Sequence, residues 1–347
     1  MSNQKLKVAI VGASGFTGSE LARLLLNHEG VSIEMITSES HVGKPFSDLH
    51  PQFFTKLDIP LVGADEVSKQ KLDVIFLALP HGVSMDFVAK WKDSGAKIID
   101  LSGDFRLSTK EVYEEWYNKK HSYPEGFDIA VYGLPELFAD KIKSADLVAN
   151  PGCFPTASIL SMAPLFAKQL VEEKSLIIDA KSGLTGAGIK ASVTTHFSNV
   201  NENFKAYGIA GHRHTIEIEE QLGALAGNQT AIQFTPHLLP VDRGILVTAY
   251  AKINGEMNQE KLTEIYRDFY KDKPFVRLRN EAPGIKDVRG SHFCDIFPVW
   301  DARTERVIVI SVIDNLLKGA ASQAVHNMNL MFGLAESEGL NQVPLKP

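Results

Sequence analysis

The chain has 347 residues, 44% hydrophobic and 22% charged, which is the make-up of an ordinary globular protein with room for two domains and a sizeable core. A formal net charge of −6 argues against a general nucleic-acid or membrane-surface binder, though not against a local basic patch. Met1 to Lys7 is short and polar and leads straight into a strand, so no signal peptide is expected. No apolar run approaches the ~18 residues that span a bilayer. The two cysteines, Cys153 and Cys294, lie far apart and suit reduced thiols, so a cytoplasmic protein is expected.

In chain order, Lys7 to Val11 reads as a buried strand, followed by Gly12-Ala13-Ser14-Gly15-Phe16-Thr17-Gly18. An amphipathic helix comes next, with Leu21, Leu24 and Leu25 on its apolar face. In such a strand–turn–helix, small residues let backbone N–H groups close on a pyrophosphate at the helix N-terminus. Gly12, Ser14, Gly15, Phe16, Thr17 and Gly18 are therefore candidate cofactor contacts; the plainer reading is a tight turn. The next strand, Val31 to Ile36, ends in Thr37-Ser38-Glu39-Ser40. NAD enzymes usually carry an acid there for the ribose 2′-OH, whereas hydroxyls suit a 2′-phosphate. Thr37 and Ser38 thus tilt the choice toward NADP, with Glu39 keeping it open and simple loop capping as the alternative.

Asp73 to Leu79 is a further buried strand that runs into Pro80-His81-Gly82. Ligands in an open α/β sheet lie beyond the carboxyl ends of the strands, so Pro80 and His81 should border the cofactor. An ordinary loop histidine is the alternative. Lys97 to Leu101 is the next strand, ending in Ser102-Gly103-Asp104-Phe105-Arg106. Arg106 is either a fork for a substrate carboxylate or phosphate, or half of a structural pair with Asp100 or Asp104. Leu147 to Ala149 then delivers Asn150 and hence Cys153 to the sheet edge expected for the cofactor.

Asn150-Pro151-Gly152-Cys153-Phe154-Pro155-Thr156 precedes an apolar run, Ala157 to Phe166, that reads as a helix. Unpaired N–H groups and the positive dipole end at a helix entrance favour the thiolate and could hold an oxyanion. A buried core thiol is the competing reading.

After that helix the pattern turns to strands, at Leu176 to Ala180, Ile232 to Phe234, Gly244 to Ile253 and Arg306 to Ile313, with one helix at Gln259 to Tyr270. An antiparallel sheet covered on one face is expected. Ser182 to Gly188 is a flexible small-residue loop, with Ser182 and Gly183 as candidate cofactor contacts. In Gly211-His212-Arg213-His214, an extended segment would put both histidines on one face and Arg213 opposite. An acid/base pair with a substrate ligand, a metal pair, and two half-buried strand histidines are the three readings. Asp314 to Ala324 reads as the opening of a long helix reaching Phe332, returning to the first domain, with Asn315 a candidate for the nicotinamide carboxamide.

These motifs together resemble the N-acetyl-γ-glutamyl-phosphate reductase family, relatives of aspartate-semialdehyde dehydrogenase. The resemblance covers Gly12 to Gly18, Asp100 to Leu107, Asn150 to Thr156, His212 to His214 and Asp314 to Phe332. It implies an α/β fold: a Rossmann dinucleotide-binding domain plus an α+β catalytic domain with a mostly antiparallel sheet. The expected division is 1–150 with 315–347, and 151–314. It further implies an NADPH-dependent enzyme of arginine biosynthesis, a homodimer or homotetramer, with no metal. Cys153 would be the nucleophile, His214 the acid/base, and His212 and Arg213 substrate neighbours, with Asn150 and Arg106 beside them. One departure stands out: Thr185 and Ile189 replace the serine and arginine common in the family's small-residue loop, and Lys190 follows as a substitute charge. That leaves N-acetyl-glutamyl, N-succinyl-glutamyl and N-acyl-aminoadipyl phosphates open as substrates. A non-catalytic NADP-binding regulator and a histidine-based metal hydrolase are the readings from other classes.

Overall fold

The computed structural model describes residues 5–347. The chain divides into two compact units: the stretch up to Pro151 with Ala320–Asn341, and Gly152–Gly319 with Gln342–Pro347. The expectation for the polar start of the chain, Met1 to Gln4, lies outside the described residues.

The first unit is built on a six-stranded sheet of β1 (Leu6–Val11), β2 (Val31–Thr37), β3 (Val74–Leu77), β4 (Lys97–Asp100), β5 (Ala130–Tyr132) and β6 (Leu147–Ala149). All pairs are parallel, in the order β2-β1-β3-β4-β6-β5. Val8 to Val11 and Val74 to Leu77 are buried on both faces, which is why these strands read as unbroken apolar runs rather than alternating ones. The strand order reverses direction between β1 and β3, the switch point where such sheets take nucleotides. Helix Phe16–Leu26 turns Leu21, Leu24 and Leu25 inward. The last helix, Ala321–Met331, is buried along its whole length and packs on Phe16–Leu26, with His28 Nε2 3.0 Å from Asn329 Oδ1.

The second unit carries a seven-stranded sheet: β7 (Ile177–Ser182), β8 (Lys205–Ala206), β9 (Gln233–Leu238), β10 (Ile245–Lys252), β11 (Val276–Leu278), β12 (Cys294–Asp301) and β13 (Arg306–Ile313). Their order is β11-β12-β13-β10-β7-β9-β8. The sheet is mixed, because β11–β12 and β7–β9 run parallel while the other pairs are antiparallel. Burial alternates along β7 and β10, one face inward and one half-exposed. The inner face is covered by helix Cys153–Ala167, in which Phe154 to Phe166 are all buried. Pro164 has no N–H to give the Leu160 carbonyl one turn back. The Tyr270 hydroxyl donates to that carbonyl instead, and Tyr266 Oη donates to Ser161 O at 2.6 Å. Helix Gln259–Tyr270 is thereby tied to the middle of the Cys153 helix.

Two local expectations are corrected. The run from Asp314 does not begin a helix: Asp314 Oδ1 accepts the N–H groups of Leu316 and Leu317, and its Oδ2 accepts that of Gly290. This side-chain competition holds a turn until the helix starts at Ala321. Nor are His212 and His214 alternate residues of an extended segment, since His214 opens helix His214–Ala226 and His212 sits in the turn before it.

Candidate active site

In the first unit the Gly12 turn has the shape a pyrophosphate requires. Gly12 adopts φ +85°, and a Cβ there would meet the Ala78 carbonyl oxygen at 2.7 Å. A Cβ on Gly18 would lie 2.4 Å from Ala13 Cα, so this glycine lets the helix sit against its own strand. Gly15 caps helix Phe16–Leu26 in extended conformation, with no side-chain cap and no acid in the first turn. The N–H groups of that turn are thus available to an anion, and Ser14 to Thr17 are half-exposed beside them. These residues fit a dinucleotide.

At the end of β2, Thr37 is buried, and its Oγ1 accepts the Gly12 N–H at 3.3 Å, so it shapes the glycine turn. Ser38 is also buried, its hydroxyl 3.3 Å from His41 Nδ1. Glu39 Oε1 accepts the Ala64 N–H at 2.8 Å. Pro80 is exposed at the end of the β3 turn, and His81 Nδ1 accepts the Gly103 N–H at 2.6 Å with its ring 5.4 Å from Tyr117.

Arg106 is buried, and two of its guanidinium nitrogens reach main-chain carbonyls. Nε donates to the Asn150 carbonyl and Nη2 to the Leu101 carbonyl, each at 2.7 Å. Asp104 caps the start of helix Ser84–Trp91 by accepting the Gly82 and Met85 N–H groups, and Asp100 accepts the Ser102 N–H and hydroxyl. The Asn150 amide donates to Ala320 O and accepts from Asn327 Nδ2. Arg106 and Asn150 together brace the carboxyl end of β6.

The second unit holds the thiol. Cys153 is the first residue of its helix and only partly buried, preceded by Gly152 in extended conformation. This end too has no side-chain cap and no acid in its first turn. Cys294, by contrast, is a core thiol in β12, fully buried with Sγ 3.4 Å from Ser311 Oγ. Phe154 forms a platform for the histidines, its ring centroid 5.8 Å from His212 and 6.0 Å from His214. The two histidine rings are 4.8 Å apart, so the turn brings together what an extended segment would only have aligned.

The His214 N–H donates to His212 Nδ1 at 3.2 Å, which places the proton of the neutral His212 ring on Nε2. Burial, with the Arg213 charge adding to it, lowers His212 to about 4, so the ring is neutral at working pH. Tyr207 lies 5.6 Å from His212, and burial followed by the charge of Cys153 raises its phenol well above the ordinary value. Arg213 and Lys190 are exposed. Ser182 is buried with its hydroxyl on Gly183 O, and a Cβ on Gly183 would meet Asp242 O at 2.7 Å. Asn315 braces the same region, accepting the Gly244 N–H at 2.7 Å and donating to Thr185 Oγ1 at 2.9 Å.

One residue of this region carries no signal in the motif reading. Glu217 is fully buried, three residues after His214 on the same helix, and its Oε1 accepts the Gly152 N–H at 2.8 Å. It holds the peptide that enters the Cys153 helix. The spacing His214-x-x-Glu217 on one helical face was the available clue.

Comparison with known proteins defines the class first. The family described as "Semialdehyde dehydrogenase, NAD binding domain" matches residues 7–145, and "Semialdehyde dehydrogenase, dimerisation domain" matches 153–315. Among solved structures, aspartate semialdehyde dehydrogenase II of Vibrio cholerae superposes with a TM-score of 0.72 at 17% identity, over 95% of this chain and 99% of that one. The Candida albicans aspartate semialdehyde dehydrogenase with NADP gives 0.70 at 13% identity, over 95% and 99%. Both attest the fold. Sequence relatives are much nearer. The N-acetyl-gamma-glutamyl-phosphate reductase of Symbiobacterium thermophilum is 49% identical over 349 residues, covering 99% of each chain. That of Halothermothrix orenii is 46% identical over 346 residues, 99% of this chain and 100% of its own. The chain belongs to the N-acetyl-gamma-glutamyl-phosphate reductase family of semialdehyde dehydrogenases.

Proposed function

We propose that the chain reduces N-acetyl-L-glutamyl 5-phosphate to N-acetyl-L-glutamate 5-semialdehyde with release of phosphate, using NADPH, in arginine biosynthesis. The observation that carries the chemistry is the partly exposed Cys153 at an uncapped helix N-terminus, in a unit that also sets His212 and His214 edge to face against one another beside Phe154. The helix end favours the Cys153 thiolate. Its sulfur attacks the acyl carbon, a C–S bond forms, and the C–O bond breaks with the electron pair leaving on phosphate. The nicotinamide of a cofactor bound at the Gly12 to Gly18 turn would supply the hydride that reduces the carbonyl carbon of the resulting thioester. The N–H groups of the helix's first turn stabilise the oxyanion this creates, and His214 donates to that oxygen. His214 takes the proton back as the C=O re-forms, and Cys153 departs as thiolate.

His214 is preferred over His212 as the acid/base because the His212 Nδ1 is already an acceptor and its ring stays neutral. His212 then presents Nε2–H as a fixed donor to the substrate. Arg213 and Lys190 supply exposed positive charge for its anionic groups. NADP is preferred over NAD because the Glu39 carboxylate, the acid at the end of β2, is engaged by the Ala64 N–H.

The test follows NADP⁺ reduction at alkaline pH with phosphate and N-acetyl-glutamate semialdehyde, beside the N-succinyl and aminoadipate analogues. Phosphate-dependent reduction fastest with the N-acetyl compound is expected. The departures at Thr185 and Ile189 favour a second reading, the same reaction on another acyl chain, if an analogue is faster. Reduction that does not depend on phosphate would overturn the acyl-phosphate assignment.

A further inference from the structure

Between β2 and β3 the chain leaves the first sheet, from Ser38 to Asp73, and this stretch has a small core of its own. Phe46, His50 and Phe53 are buried together, the Phe46 ring centroid 4.9 Å from each of the other two. The stretch is tied down at several points: the Val62 N–H donates to the Ile36 carbonyl, the Phe46 N–H to the Ile59 carbonyl, and Ser47 Oγ to Asp58. Two of its side chains reach the glycine turn and the helix that follows. His50 Nε2 lies 3.0 Å from the Ala13 carbonyl oxygen, and Gln52 Nε2 donates to Ser19 Oγ at 3.0 Å.

The His50 bond has a definite sense. A carbonyl only accepts, so the proton of the ring sits on Nε2. Burial pushes the His50 pKa below its ordinary value, against the opposing pull of the Ala13 bond, so the ring is neutral at pH 7. Ala13 itself is fully buried and held on three sides. Its N–H donates to the Thr37 carbonyl at 3.1 Å, its own carbonyl accepts from His50, and a Cβ on Gly18 would stand 2.4 Å from its Cα. In a trans peptide the carbonyl and the following N–H point in opposite directions. With the Ala13 carbonyl turned inward to His50, the Ser14 N–H is turned the other way, and Ser14 to Thr17 are the half-exposed part of the turn.

We propose that His50 is a positioning residue for the cofactor's pyrophosphate: by holding the Ala13 carbonyl inward, it sets the turn from Gly12 to Thr17 in its anion-binding form before the cofactor arrives. The inference rests on the reading of this turn as the dinucleotide site. Without the His50 donor the buried Ala13 carbonyl has lost its partner, which favours other orientations of the Ala13–Ser14 peptide. Binding must then restrict that peptide, and affinity falls for any ligand whose pyrophosphate uses the turn.

The experiment titrates NADPH into wild type, His50→Phe and His50→Gln by fluorescence, and repeats the comparison by calorimetry with adenosine 2′-monophosphate, which has no pyrophosphate. His50→Phe keeps a ring beside Phe46 and Phe53 but has no N–H to donate. Its Kd for NADPH is expected to rise about tenfold, the loss of one buried hydrogen bond, with its affinity for adenosine 2′-monophosphate equal to that of wild type. His50→Gln places an amide N–H at a similar reach and should recover most of the NADPH affinity. Should His50→Phe fail to fold by circular dichroism, His50→Asn takes its place with the same expected loss, since its shorter amide stops short of Ala13. Unchanged NADPH affinity in the folded variant without a donor, equal losses for the two ligands, or no recovery in folded His50→Gln would each overturn the proposal. Failure of wild type to bind NADPH would instead overturn the dinucleotide reading itself, so the two failures are distinct.

Discussion

Two helix entrances invite comparison: Gly15 before Phe16–Leu26 and Gly152 before Cys153–Ala167. Both come after parallel strands of the first sheet, both have a glycine in extended conformation, and neither has a side-chain cap or an acid in its first turn. Side-chain caps are present elsewhere at Thr109 before Lys110–Tyr117 and at Asn258 before Gln259–Tyr270, but not before Pro135–Lys143, His214–Ala226 or Ala321–Met331. Unlike Pro135–Lys143 and His214–Ala226, the two ends also lack an acid in the first turn, and each leaves N–H groups for a visitor. They differ in the residues just past the glycine. At Gly15 these are half-exposed and non-acidic, so the end waits for an anion from outside. At Gly152 the chain places its own candidate anion, the Cys153 thiol of the proposed reaction, and a buried Glu217 whose Oε1 accepts the N–H of the peptide that carries it. On the proposed reaction, the same backbone device serves binding in one place and nucleophile activation in the other.

Changing the anion itself tests this contrast most strongly. Cys153→Ala is expected to abolish turnover while NADPH binding, read by fluorescence titration, remains; measurable turnover would remove Cys153 from the chemistry. Next, His214→Asn should lower kcat by ~10²–10⁴-fold, the usual contribution of a general acid/base. His212→Asn should cost less, and the reverse ranking would exchange their roles. At the other entrance, Gly12→Ala forces a Cβ to within 2.7 Å of the Ala78 carbonyl at a positive φ. It should raise the KM for NADPH about tenfold or more through ~1–3 kcal/mol of strain, with alkylation of Cys153 by iodoacetamide unchanged. Glu217→Ala should do the opposite, slowing Cys153 alkylation several-fold while leaving NADPH affinity alone, whereas Glu217→Gln keeps an acceptor for Gly152 and should restore most of the rate.

The smallest effect concerns pH. His212 is depressed from 6.5 to about 4 in the folded protein, so between those values the unfolded chain binds the extra proton. Stability contributed by the neutral ring is present above about pH 6.5 and lost as pH falls through about 4. Urea midpoints measured from pH 7 to 4 should therefore fall less steeply for His212→Gln than for wild type.

The sequence was most informative where burial is two-sided. Val8 to Val11 of β1 and all of β3 are unbroken apolar runs, and the glycine turn is legible from its position between strand and helix. β12 escaped notice because Asp295 and Pro298 interrupt its pattern, although Asp295 is paired with Arg277 and Arg279. Helix His214–Ala226 was hidden by the alternating Gly211 to His214, whose extended reading the turn at His212 replaces. At the site, residue chemistry singled out Cys153, His212 and His214. The bonds of Arg106, Asn150 and Glu217 could not be read in the same way. The bonds to the Leu101, Asn150 and Ala320 carbonyls and to the Gly152 N–H each join a side chain to a main-chain group, and main-chain groups are alike at every position in a sequence.

Pro164 carries a consequence for the dynamics of the nucleophile's helix. A proline in mid-helix ordinarily creates a hinge, since one rung of the ladder is missing. Here Tyr266 and Tyr270 donate to the carbonyls at that point, so helices Cys153–Ala167 and Gln259–Tyr270 share a rung. Neither can open there without breaking a buried bond of the other. The two segments should therefore exchange their amide hydrogens as one cooperative block, slowly and together.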